Sequence, residues 1–198
     1  RAKGNPRATS AIAGVLLGTD GRRKVAGSAL NLGSPAAIAG LGYQAYKNYR
    51  DGQNPVETAQ GGTPELLPPP SDSGFHPEAV STDFALILVR AMIAASRADG
   101  HIDEAERARI MDKLKVSGLG TDAAQFLEDE LANPIDLDAI VAAAATEEQR
   151  VELYTASRLA IEPKSRAERG YLDLLAGRLG LADALVDHIE ATVSAATA

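Results

Sequence analysis

Ala95-Ser96-Arg97 leads through an acidic turn to Glu106-Arg107 and on to Gly118-Leu119, and Ala156-Ser157-Arg158 leads through a second turn to Glu168-Arg169 and on to Gly180-Leu181. The two stretches lie 61 to 62 positions apart, with one extra residue in the second turn. A unit of helix, acidic turn and helix written twice predicts paired elements that bury their apolar faces against each other. It specifies an architecture more than an activity.

Outward from this repeat, apolar residues recur at helical spacing. Val80, Phe84, Ile87, Leu88, Ala91, Met92 and Ala95 form one stripe that ends at Asp99-Gly100, where glycine suits a left-handed stop. Asp103 is placed to cap the next helix and Glu106 to complete a capping box, ahead of Ile110, Met111, Leu114 and Val116, with Gly118 closing it. Thr121 opens a helix through Phe126, Leu127 and Leu131 that stops at Asn133-Pro134, and Asp136 opens a short segment through Leu137, Ile140 and Val141. Thr146 to Gln149 starts a helix through Val151, Leu153, Tyr154 and Leu159, which Pro163 ends. Ser165 and Glu168 form another capping box, before Tyr171, Leu172, Leu174, Leu175 and Leu179, with Gly180 at the stop. The last helix carries Leu185, Val186, Ile189 and Val193. With no run of alternating β-branched residues, the fold class is all-α, and the prevalence of alanine predicts close helix approach.

Composition divides the chain. Residues 1–50 hold eight Lys or Arg against one acid, while 51–198 hold twelve against twenty-six, so a basic region precedes an acidic one. Such a split suits a basic arm that meets an anionic surface, lipid or nucleic acid, while the acidic part stays in solution. Three regions follow: 1–54, basic and rich in Gly and Ala; 55–78, a linker rich in Pro, Gly and Ser; and 79–198, an acidic helical domain of about 120 residues, long enough for its own core. The absence of cysteine excludes disulfides and thiolate metal sites. The start on Arg1 suggests a trimmed product or a fragment.

Arg97-Ala98-Asp99-Gly100-His101-Ile102-Asp103-Glu104-Ala105-Glu106 resembles the hallmark of tellurite-resistance TerB-like domains, which also occur at the front of some membrane-anchored co-chaperones. Ile161-Glu162-Pro163 with Glu168-Arg169-Gly170-Tyr171-Leu172-Asp173-Leu174-Leu175-Ala176 is similar to the later block of one branch, the uncharacterised bacterial family of YebE-like inner membrane proteins. Leu16-Leu17-Gly18, Arg22-Arg23-Lys24 and Gly40-Leu41-Gly42-Tyr43-Gln44-Ala45-Tyr46 resemble its N-terminal region. Lys164 and Ser165 depart from the pattern, standing where small or acidic residues are usual, which puts a metal site shared with that loop in question. The resemblance implies a compact bundle of about six to seven helices built from a duplicated unit. It also implies, in some relatives, an acidic surface associated with divalent cations, and it brings no settled activity.

Asp99, Asp103, Glu104 and Glu106 place four carboxylates within eight residues, a density of hard oxygen ligands that suits Ca²⁺ or Mg²⁺. The spacing is not that of an EF-hand loop. Capping accounts for Asp103 and Glu106 without an ion. Glu162 and Glu168 join the candidate set if the repeat brings the two turns together. Catalytic patterns are missing: His76, His101 and His188 show no ligand spacing, and there is no zinc helix, nucleophile elbow or phosphate loop, so the expectation is a protein that is not an enzyme. Arg97, Arg107, Arg158 and Arg169 recur with the repeat and are expected to pair with nearby acids.

Residues 25–46 contain no charged side chain, a length sufficient for one membrane span, yet their Gly, Ser, Asn and Gln content makes them far less apolar than a typical span. A helical hairpin turning near Gly33-Ser34-Pro35 is one arrangement, and a flexible basic tail is another. Arg22, Arg23, Lys24 and Lys47, with Tyr43 and Tyr46, resemble interfacial anchors for membrane lipid. Nucleic acid is the weaker match, since no aromatic-and-basic reading motif is present and an acidic domain repels a duplex. Two function classes therefore stand. One is an adaptor or stress-response protein held to the cytoplasmic face of a bacterial inner membrane while its acidic bundle recruits an unknown protein partner. The other is a soluble cytoplasmic module that binds divalent cations and self-associates through its Gly-rich arm.

Overall fold

The computed structural model describes residues 35–60, 68–76, 79–98 and 121–197, although the side chains of Phe126 and Leu127 lie outside that description. Among the described residues there are eight helices and no strand: α1 Pro35–Arg50, α2 Pro55–Gln60, α3 Thr82–Ser96, α4 Thr121–Ala132, α5 Leu137–Ala142, α6 Glu147–Ala160, α7 Arg166–Leu179 and α8 Asp183–Thr197. The all-α class holds. Residues 99–120, which carry the first acidic turn and the helix expected after it, lie outside the described part.

Helix boundaries follow local chemistry. Ser81 accepts the Phe84 amide at 3.1 Å to start α3, and Asp136 accepts the Ala139 amide at 2.9 Å to start α5. Thr146 with Gln149 and Ser165 with Glu168 form reciprocal capping boxes at the starts of α6 and α7. Gly180 closes α7 at φ 66°, in the left-handed region where a Cβ is strained.

The core is organised around α6, which is buried without interruption from Val151 to Arg158. Helices α1, α3, α7 and α8 pack on it, and α8 also packs on α1 and α2. The two helices that open the repeat units, α3 and α6, pack on each other more extensively than any other described pair, as the repeat predicts. Their shared serine behaves alike: Ser96 donates to the Met92 carbonyl and Ser157 to the Leu153 carbonyl, each four residues back and each at 3.0 Å. Small residues let these helices approach. Ala91, Ala95, Ala156 and Ala45 are 0–1 % exposed, and a Cβ on Gly42 would stand 3.3 Å from Val151 Cγ1.

α1 buries Ile38, Ala39, Leu41 and Ala45 to within 1 % of full burial. Residues 68–76 form a strap of successive turns, with Ser73 N–H donating to the Pro70 carbonyl and His76 N–H to the Ser73 carbonyl, and Phe75 is 1 % exposed between Tyr43 and Tyr46. Leu174, grouped by periodicity with the core face of α7, is 53 % exposed, while Leu172, Leu175 and Leu179 point inward.

Candidate functional site

Of the candidate metal ligands, Asp99, Asp103, Glu104 and Glu106 lie outside the described residues, so capping by Asp103 and Glu106 does too. Glu162 and Glu168 are described, and each is engaged. Glu168 Oε2 accepts the Ser165 amide at 2.7 Å, and the backbone and hydroxyl of Ser165 hold its carboxyl below the usual range. Glu162 pairs with Lys164 at 2.5 Å, which likewise lowers its carboxyl. The two residues that depart from the expected pattern, Lys164 and Ser165, are thus the ones that engage Glu162 and Glu168. Among the described residues, no group of three or more His, Cys, Asp or Glu side chains is arranged to hold a metal ion.

Among the described residues, Arg158 pairs with an acid, on the last helix, while Arg97 and Arg169 donate to backbone carbonyls. Arg97 donates to the Asn133 carbonyl at 2.9 Å, and Arg169 donates to the Lys164 carbonyl at 2.8 Å. Arg158 donates to the Ile161 carbonyl at 3.0 Å and reaches the last helix, where it pairs with Glu190 at 2.6 Å. Tyr154 donates to the other oxygen of Glu190 at 2.9 Å. A planar fork suits the free carbonyls at helix and loop ends, and the helix-end partners lie beyond the turn itself. Arg107 lies outside the described residues.

Of the anionic-surface candidates, Arg22, Arg23 and Lys24 lie outside the described residues. Tyr43 and Tyr46 pack against Phe75 with ring centroids 5.9 and 5.5 Å apart, and the Tyr46 hydroxyl donates to Glu147. Burial, with the Glu147 charge beside it, raises the Tyr46 phenol. Lys47 pairs with Asp51 at 2.7 Å on the surface. Tyr43 and Tyr46 fasten α1 to the strap and to α6, while the Lys47 pair stays local to the end of α1. No helix among the described residues is long and apolar enough to cross a membrane.

Three features escaped the sequence reading. The first is Glu152, 1 % exposed inside α6 with neither carboxyl oxygen hydrogen-bonded; burial and then the Glu148 charge push its carboxyl up to about 8. Its position between Val151 and Leu153 is the only sequence signal, and an exposed glutamate reads the same way. The second is Phe75, whose signal was plain: one aromatic amid Pro, Ser and Gly. The third is a groove of about 290 Å³ between α3 and the α4–α5 connection, floored by Ile87, Ile93 and Ile140. Arg90 and Glu130 wall it with a two-pronged ion pair at 2.8 and 2.5 Å, and Ile135 at its edge is 39 % exposed.

Comparison with known proteins then places the chain. A family model described as a protein of unknown function, DUF533, matches residues 2–193. The chain belongs to the DUF533 family. A curated relative, an uncharacterized protein in the ampR 5′ region of Yersinia enterocolitica, is 28 % identical over 103 residues, covering 52 % of this chain and 74 % of its own length. No solved structure matches. The DUF533 match spans the basic N-terminal region and the helical part together, so the family is defined by both.

Proposed function

We propose that this DUF533 protein is a non-enzymatic adaptor that sits on an anionic membrane surface through its first residues and presents its helical bundle to a protein partner. The carrying observation is the charge split. Residues 1–34, ahead of α1, hold six Lys or Arg against one acid, while the remainder of the chain holds fourteen against twenty-six. Because α1 is committed to the core through Ile38, Leu41 and Ala45, the lipid contact rests on Arg22, Arg23 and Lys24 upstream of it. Each basic residue near such a surface contributes about 1 kcal/mol, so a cluster suffices for reversible docking. A kinship with TerB-like domains and with YebE-like inner membrane proteins, and a seat at the cytoplasmic face of a bacterial inner membrane, belong to the same reading. The open α3–α5 groove, apolar at its floor and charged at its wall, is the partner seat in this account.

Vesicle flotation tests it. The full chain should float with vesicles rich in phosphatidylglycerol at low salt, remain behind with phosphatidylcholine vesicles, and detach as salt screens the contact. Failure to float with anionic vesicles at low salt rejects the membrane half of the proposal.

A further inference from the structure

Glu152 lies near the start of the buried stretch of α6, and neither of its oxygens has a partner. Glu148, Val151, Glu152 and Thr155 are three and four residues apart, so they share one face of that helix. The strap 68–76 crosses this face. Gly74 lies so close that a Cβ on it would come within 3.0 Å of Glu148 Cγ. The Phe75 ring shares its contact zone with Gly42 of α1 and with Val151 and Thr155 of α6. The buried Phe75 ring anchors the strap to α6, and the backbone hydrogen bonds within the strap are short-range turns.

A lone carboxylate in such a place is far costlier than the neutral acid, because no donor compensates the lost hydration. The titratable groups on the surrounding elements are Asp72 and His76 of the strap, Tyr43, Tyr46, Lys47, Tyr49 and Arg50 of α1, Asp83 and Arg90 of α3, Arg166, Glu168, Arg169, Tyr171, Asp173 and Arg178 of α7, and Asp183, Asp187, His188 and Glu190 of α8. Tyr46 is engaged with Glu147, Arg90 with Glu130, and Glu190 with Tyr154 and Arg158. Among the described residues only Glu148 bears on the charge of Glu152, and it opposes ionisation.

We propose that Glu152 is a pH-sensitive latch: as the neutral acid it lets the strap and its Phe75 plug close over α6, and on ionisation in mildly alkaline solution it loosens the strap and opens the seam between α1 and α6. The sign follows from the buried acid. Closure is fully supported below the usual glutamate range, and that support is lost as pH rises toward 8, where burial has moved the group. Opening exposes an aromatic, apolar face beside Gly42, Tyr43 and Tyr46 of α1.

Hydrogen exchange of the full chain, corrected for intrinsic rates, tests the latch between pH 6 and pH 9. The strap amides of wild type should lose protection by about tenfold or more across that range. Glu152→Gln should hold them constant, and Glu148→Gln, by removing the opposing charge, should move the loss to lower pH. The carboxyl carbon resonance of Glu152, followed over the same range, should titrate together with the strap. The latch is overturned if the wild-type strap is insensitive to pH, if Glu152→Gln keeps the wild-type dependence, or if α6 and α8 amides lose protection in parallel with the strap, which would be global unfolding.

Discussion

Helices α1 and α6 are opposites in sequence and neighbours in the core. α1, Pro35–Arg50, is uncharged through Tyr46 and reads as a surface or membrane element, whereas α6, Glu147–Ala160, opens on Glu147-Glu148 and carries Arg150, Glu152 and Arg158. In the structure α1 is buried without interruption from Ala37 to Gly42, much as α6 is from Val151 to Arg158. Charge content therefore does not rank burial here. α6 is enclosed because α1, α3, α7 and α8 all pack on it, and its polar groups survive by local satisfaction. Thr155 and Ser157 donate to carbonyls four residues back, and Arg158 has Glu190 and Ile161. Glu152 alone among these has no such solution, which is why it is the responsive group.

The sharpest way to break this comparison is to truncate both helices at their cores. Leu41→Ala and Leu153→Ala should each cost about 3 kcal/mol in urea unfolding, since each removes a side chain that is fully buried. A membrane-committed α1 would leave the Leu41 variant near wild type. Glu152→Gln should be close to neutral at pH 5 and stabilising by about 3 kcal/mol at pH 9, because wild type alone loses stability as pH passes from the unfolded glutamate value up to about 8. Arg158→Ala should cost about 2 kcal/mol, through the stranded Glu190 carboxylate and Ile161 carbonyl. Ser165→Ala removes one half of the α7 capping box and should cost about 1 kcal/mol. Leu174→Ala, on the open face of α7, should change stability by less than about 0.5 kcal/mol.

The sequence made much of the helical framework legible. The boxes at Thr146 and Ser165, the Asp136 cap and the Gly180 stop were readable because capping is chemistry within four residues. The inward faces of α3 and α8 were readable from their period. What was not readable depended on tertiary neighbours. α1 resembles an anchor until α8 and α6 are seen to cover it, and Phe75 resembles linker until Tyr43 and Tyr46 receive it. Leu174 fits the α7 period equally well, yet no described helix covers that side. For the candidate sites, the sequence foresaw the box that holds Glu168. It did not foresee that Lys164 engages Glu162, or that Glu152 is unpartnered, since both depend on where side chains end rather than on spacing.

The division of labour between α1 and the residues ahead of it is tested most directly by floating two full-length variants side by side on phosphatidylglycerol vesicles. The account predicts that Leu41→Ala, though less stable, still floats at low salt under native conditions. It predicts that replacing Arg22, Arg23 and Lys24 together with glutamine removes most of the vesicle binding and leaves the unfolding midpoint near wild type. The reverse pattern, binding lost with Leu41→Ala and retained by the charge variant, would return α1 to the membrane and contradict the account.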